Sequence, residues 1–241
     1  MRSTTVNGVL AWAALDSRGR PTVGCEVRLH GGARGSATVP SGASTGSHEA
    51  RELRDGGERY AGMGTSRAVG NVRDVLGPAV IGQDVADQER LDSDLVDLDG
   101  TADLGRLGAN AVLAVSLAAV RAAAEAAGLP LYRALDPSGA RPILPLPMVN
   151  VFTGGAHAKH SMDIQDVLVV PVGAVNFPQA IEWAWRVRNA AAALLEARGE
   201  PSGLVADEGG LAVDVSSNRQ VLELACDAIG VAKLGVGTDV A

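Results

Sequence analysis

The 241-residue sequence predicts an α/β chain in two parts: an α+β domain over residues 1–138, then the beginning of a β/α barrel of the TIM type over 139–241. Three observations predict it. Strand patterns precede helix patterns in the first part, the order of an α+β domain. The breaker cluster Asp136-Pro137-Ser138-Gly139 separates the parts. The second part reads strand, strand, helix, strand, helix, strand, with polar residues at the strand ends, as in α/β barrels. A barrel closes with about eight strands, and this sequence supplies about half of them.

Thr22–Leu29 alternates with period two, Val23, Cys25, Val27 and Leu29 on one face and Thr22, Gly24, Glu26 and Arg28 on the other. His30-Gly31-Gly32-Ala33 signals a hairpin, with 35–39 as the returning strand. Pro40-Ser41-Gly42-Ala43-Ser44-Thr45-Gly46 is a small-residue loop in which nothing bulky keeps a phosphate or metal from the backbone; it also reads as a plain turn. Residues 49–55 are expected to form a short charged helix, and 66–81 and 84–98 are helical by period. Residues 107–127 form an Ala-rich helix with almost no polar face, expected as a buried helix, not a membrane span. In the second part, 146–152 and 164–170 read as apolar strands. Residues 177–198 read as a helix with Ile181, Trp185, Ala192 and Leu195 near one stripe. Residues 203–206 read as a buried strand ending in Asp207-Glu208-Gly209-Gly210, 218–229 as a helix, and 236–241 as the start of another strand. Acids at the C-terminal end of a barrel strand suit general acid/base chemistry; a solvated acidic turn fits the same stretch equally well.

Composition bounds the function. Aromatics are 3% of the chain, so its core is Ala, Val and Leu. The net charge of −7 argues against nucleic acid or an anionic membrane as partner. Cys25 and Cys226 have no metal-type spacing, and no signal peptide stands at the start, so a reduced, cytoplasmic protein is expected. Of 21 basic residues, only Lys159 and Lys233 are lysines.

Six motifs together resemble the enolase family, in its order and at roughly its spacing. They are Ser17-Arg18-Gly19 with Pro21-Thr22-Val23, the loop 39–46, Leu107-Gly108-Ala109-Asn110-Ala111, Gly154-Gly155-Ala156-His157-Ala158, Asp163-Ile164-Gln165 and Asp207-Glu208-Gly209-Gly210. The resemblance spans residues 10–241. It implies a lyase that dehydrates 2-phosphoglycerate to phosphoenolpyruvate in glycolysis, with Mg2+ as cofactor and a small molecule as substrate, as a homodimer or larger assembly through the N-terminal domain. Carried over, Glu208 is the acid that protonates the leaving hydroxyl, and Ser44 ligates the second magnesium ion. His157 contacts the phosphate side of the substrate, a reading that its flanking motif favours over a loop histidine capping a helix. Gln165 faces the substrate. Asp166 stands where the family usually has a glutamate that positions the leaving group, and Thr153 replaces the family's usual asparagine.

In the family, an aspartate ligand of the catalytic magnesium, two further carboxylates and the lysine base come after the position of Ala241; neither Lys159 nor Lys233 matches the base. The expectation is therefore an enolase-like piece with little or no turnover as an isolated chain, and with an open sheet edge and exposed apolar helix surface. Two alternatives remain: an enolase-like dehydratase of a phosphonate or related phosphorylated acid, and a non-catalytic binding or oligomerisation module.

Overall fold

The alternating residues 22–29 become the central strand of a three-stranded antiparallel sheet, β1 (Val6–Leu15), β2 (Pro21–Leu29) and β3 (Arg34–Thr38). This is a computed structural model describing residues 3–42, 44–136, 138–155, 162–206, 209–213, 215 and 217–241. The chain divides into two compact units, residues 1–140 and 141–241. In the first, Val23, Cys25, Val27 and Leu29 are buried, as their period requires. The sequence reading missed β1. It is an edge strand with a register shift between Val6 and Gly8, so its burial does not alternate cleanly.

A helical stretch follows, α1 (Ser66–Asn71), a π-helical turn (Val72–Leu76) and α2 (Gly77–Val80), burying Val72, Leu76 and Val80. Then α3 (Gln88–Asp99) begins at Asp87, whose carboxylate accepts the Arg90 amide at 3.2 Å. The Ala-rich helix α4 (Ala109–Ala127) packs on β2 and β3. It is long and apolar enough to cross a membrane by length alone, but half of it is buried in this core. Gly35 permits its close approach: a β-carbon there would lie 2.2 Å from both the Ala118 oxygen and the Ala122 nitrogen. A short helix, α5 (Leu131–Ala134), ends the unit.

Residues 49–55 are not helical. Their polar backbone is committed elsewhere. The Arg51 amide donates to the Asp103 carbonyl at 2.7 Å, the Ala109 amide donates to the Arg51 carbonyl at 2.9 Å, and the Asn110 side chain bonds both the amide (3.0 Å) and carbonyl (3.1 Å) of Leu53. Pairing with another segment replaces the i→i−4 bonds that a helix needs.

In the second unit, β4 (Val149–Thr153) lies between β5 (Asp166–Val169), antiparallel to it, and β6 (Leu211–Ala212), parallel to it. Helices α6 (Phe177–Ala197) and α7 (Asn218–Val231) pack on each other and on this sheet. Their N-termini are capped by Asn176 and Ser217, which accept the amides of Gln179 (3.0 Å) and Gln220 (3.4 Å). The core joins Val151, Phe152 and Leu211 of the sheet to Val187, Leu195, Leu224 and Ala228. Among the described residues this sheet has three strands and no closed barrel.

Three expectations for this unit are corrected. The strand lies after the glycines, not before them. Leu204 and Val205 are 56% and 52% exposed, and the chain folds back so that the Ala206 amide donates to the Gly210 carbonyl at 2.9 Å and the Ala212 amide to the Leu204 carbonyl at 3.1 Å. On α6, Ile181 and Trp185 are 43% and 62% exposed, and the buried stripe runs through Ala180, Ala184, Val187, Ala191 and Leu195. Small residues face the sheet there because they admit the helix closest. Residues 236–240 form a turn closed by a bridge between Val236 and Val240, the Asp239 carbonyl accepts the Gly173 amide at 3.0 Å, and Ala241 exchanges both backbone hydrogen bonds with Val170 at 2.7 and 2.9 Å.

Candidate active site

The second unit gathers polar residues where β4, β5 and β6 meet. Thr153 ends β4 and is fully buried, and Asp166 begins β5 directly opposite it in register. Asn150, three residues earlier on β4, joins them. Its Nδ2 donates to Asp166 Oδ1 at 2.5 Å and to Thr153 Oγ1 at 2.8 Å. Both amide protons are thereby used, on a carboxylate oxygen and a hydroxyl oxygen that accept them. The Asn150 Oδ1 is buried and has no donor among the described residues.

Gly210 packs onto this cluster. A β-carbon at that position would sit 2.1 Å from Thr153 Oγ1 and 2.7 Å from Asn150 Oδ1. The glycine pair of the Asp-Glu-Gly-Gly motif thus does two jobs. Gly209, with φ +86, turns the chain, and Gly210 lets it touch the Asn150 amide. Glu208, which precedes them, lies outside the described residues, as does His157. The chain flanking 156–161 is cross-linked: the Gly154 amide donates to the Gln165 carbonyl at 2.7 Å, and the Gly155 amide to the Met162 carbonyl at 2.9 Å. Gln165 is exposed and Asp166 half-buried. Of the sequence-predicted residues, the structure therefore places Gln165 and Asp166 side by side at the start of β5. Asn150 was missed. Its signal was a lone amide inside the apolar run 146–152, where a polar side chain needs partners.

Ser44 belongs to the first unit. It is exposed in the loop 41–46, beside a cavity of about 570 Å³ whose lining includes Arg20, Ser41, Thr45, Gly46, Glu52 and Arg54. The β1–β2 turn borders this region. There Asp16 accepts the Arg18 and Arg20 amides at 2.8 and 2.9 Å, and the Arg20 bond above all holds its carboxyl below the usual carboxylate range. Ser44 offers hydroxyl and carbonyl oxygens, the hard donors that Mg2+ takes. Among the described residues no group of three or more His, Cys, Asp or Glu is assembled that could hold a metal, so these residues supply at most part of a coordination shell.

Two family models match the chain. The one for "Enolase, N-terminal domain" covers residues 6–135, and the one for "Enolase, C-terminal TIM barrel domain" covers residues 141–241.

Proposed function

The chain belongs to the enolase family, and from that premise we propose that it dehydrates 2-phosphoglycerate to phosphoenolpyruvate, a cytoplasmic step of glycolysis, with Mg2+ as cofactor and as a homodimer or larger assembly. The observation that carries this reading is the convergence of Asp166 and the Gly209–Gly210 chain, which follows Glu208, on the single amide of Asn150.

The reaction must take a proton from a carbon beside a carboxylate and expel hydroxide, a poor leaving group. Bound magnesium supplies charge neutralisation at the substrate carboxylate, which makes that proton acidic. Glu208 delivers a proton to the departing oxygen. Asp166, held at β5 by Asn150, orients that oxygen, while Gln165 and His157 bind substrate. Ser44 would give oxygen ligands to the ion. The family resemblance assigns the base to neither Lys159 nor Lys233. Turnover is therefore tested on residues 1–241 joined to a C-terminal barrel segment of a working enolase, which supplies a lysine and the metal carboxylates.

Phosphoenolpyruvate formation from 2-phosphoglycerate is expected in that fusion, and Glu208→Gln is expected to reduce it about 10²- to 10⁴-fold, the range for losing a general acid. A folded fusion that forms no phosphoenolpyruvate would refute the reading. Asp166 favours one other reading. Its carboxylate is a methylene shorter than the family's usual glutamate and is held back by Asn150, which suits a phosphonate or related phosphorylated acid of different reach. Dehydration of such an analogue in preference to 2-phosphoglycerate would select that reading.

A further inference from the structure

Ile181, Ala184, Trp185 and Arg188 lie three or four residues apart along α6 and so share one face of the helix. With Met148, just before β4, they line a cavity of about 550 Å³ that Asn150 and Gly209 also border. Ala184 is buried at its floor, while Met148, Ile181 and Trp185 are exposed. Arg188 is half-buried, yet its guanidinium has no ion pair or hydrogen bond among the described residues. The arginines before and after it are committed. Arg186 pairs with Glu182 at 3.6 Å and donates to the Ala232 carbonyl, and Arg198 pairs with Asp227 at 3.7 Å. No carboxylate is among the described residues that line the cavity.

We propose that this cavity binds a small organic anion, with its oxyanion head on Arg188 and a flat apolar body against Trp185, Ile181 and Met148. Its volume falls in the range of small-molecule sites, and so does its make-up, a mostly apolar wall with few polar groups. A guanidinium presents parallel donors that match an oxyanion, and the indole face of Trp185 suits a planar body. A purely apolar segment laid on this face would bury the Arg188 charge without a partner, which is strongly unfavourable. The proposal goes beyond the dehydration reading and does not depend on it.

The test is titration of the 241-residue protein with phenylphosphonate, read by two-dimensional NMR at the indole N–H of Trp185. The indole of Trp12, in the first unit, is the control. Inorganic phosphate carries the head without the body, and benzyl alcohol the body without the head. Phenylphosphonate is expected to shift the Trp185 signal saturably and to leave Trp12 in place, and each half-probe to bind about tenfold more weakly or worse. Arg188→Gln should weaken phenylphosphonate by about tenfold or more and leave benzyl alcohol unchanged. No saturable shift at Trp185, a half-probe that binds as well as phenylphosphonate, or an Arg188→Gln variant with unchanged affinity would overturn the proposal. The same titration on residues 1–241 joined to a C-terminal barrel segment should give the same shift. Its loss there would mean that the added segment covers this face, and would overturn the proposal too. Because no turnover is read, a failed dehydration assay and a failed titration are separate results.

Discussion

Adding one methyl group at Gly210 tests whether the site is built on close backbone approach. In Gly210→Ala the new carbon would lie 2.1 Å from Thr153 Oγ1 and 2.7 Å from Asn150 Oδ1, so something must move by about an ångström. Thr153 is fully buried at the end of β4 and cannot swing into solvent. Two costs therefore combine. Overpacking a tight site costs about 1–3 kcal/mol. Losing the Asn150–Thr153 hydrogen bond inside the fold costs a similar amount. A total of about 3 kcal/mol lowers the melting temperature by about 10 °C in a chain of this size. Trp183 and Trp185, both on α6 of the same unit, report its unfolding by fluorescence. Gly209→Ala is the control. Its β-carbon would meet nothing within 4 Å among the described residues, and its φ of +86 costs the left-handed strain of about 1–2 kcal/mol. Thr153→Ala removes the clashing oxygen, so Gly210→Ala should cost less in that background than alone. A melting temperature unchanged by Gly210→Ala, or a clash that Thr153→Ala does not relieve, would refute the geometry.

Two further outcomes follow from the first unit and the thiols. Burial raises the Asp99 carboxyl, but bonds from the Thr101 hydroxyl and the amides of Leu107 and Thr101, with the Arg106 charge, outweigh it and hold the carboxyl below its ordinary range. A depressed folded pKa contributes stability that is present above the unfolded value, about 3.9, and is lost as pH falls through the folded one. The stability gap between wild type and Asp99→Asn should therefore narrow below about pH 4, and a gap independent of pH in melts would contradict this. The Cys25 thiol is buried and pushed up to about 12, by burial first and by the Glu26 charge second, whereas Cys226 is exposed. Thiol titration of the native protein at neutral pH should find only Cys226 reactive, with both reacting in denaturant; fast labelling of Cys25 in the folded state would be inconsistent with its place in β2.

Period and breakers made most of the architecture legible. β2 alternates because one face is core, and α4 reads as buried because alanines cover most of its surface. What escaped was set by distant partners. Residues 49–55 have helical composition, yet their backbone is taken by Asp103, Ala109 and Asn110, which no local pattern reveals. Residues 203–206 look like a strand because they are apolar, but β4 pairs with Leu211 and Ala212 beyond the glycines, leaving Leu204 and Val205 half in solvent. At the site, Asp166 and Ser44 were singled out by the resemblance to the family, and their proposed roles rest on it. Asn150 was not, because its role depends on a register that brings Asp166 opposite Thr153. Glu208 and His157 remain sequence assignments, since both lie outside the described residues.

That register also changes how the two departures from the family pattern should be weighed. Taken singly, Asp166 for glutamate and Thr153 for asparagine look like unrelated drift. In the structure they are the two acceptors of one Asn150 amide group, at 2.5 and 2.8 Å. Lengthening Asp166 to glutamate pushes its carboxylate into that amide. Enlarging Thr153 to asparagine displaces the same amide from the other side, against Gly210. Each single change should cost about 1–3 kcal/mol. The double variant Thr153→Asn/Asp166→Glu should cost less than the sum, because the two enlarged side chains share one partner that can re-aim once for both. Urea denaturation of the four proteins closes the cycle. A coupling above about 0.5 kcal/mol means that the short carboxylate and the small hydroxyl form one adaptation of the site, centred on Asn150. Additivity within that margin would make Thr153 and Asp166 independent, and Asn150 merely their neighbour.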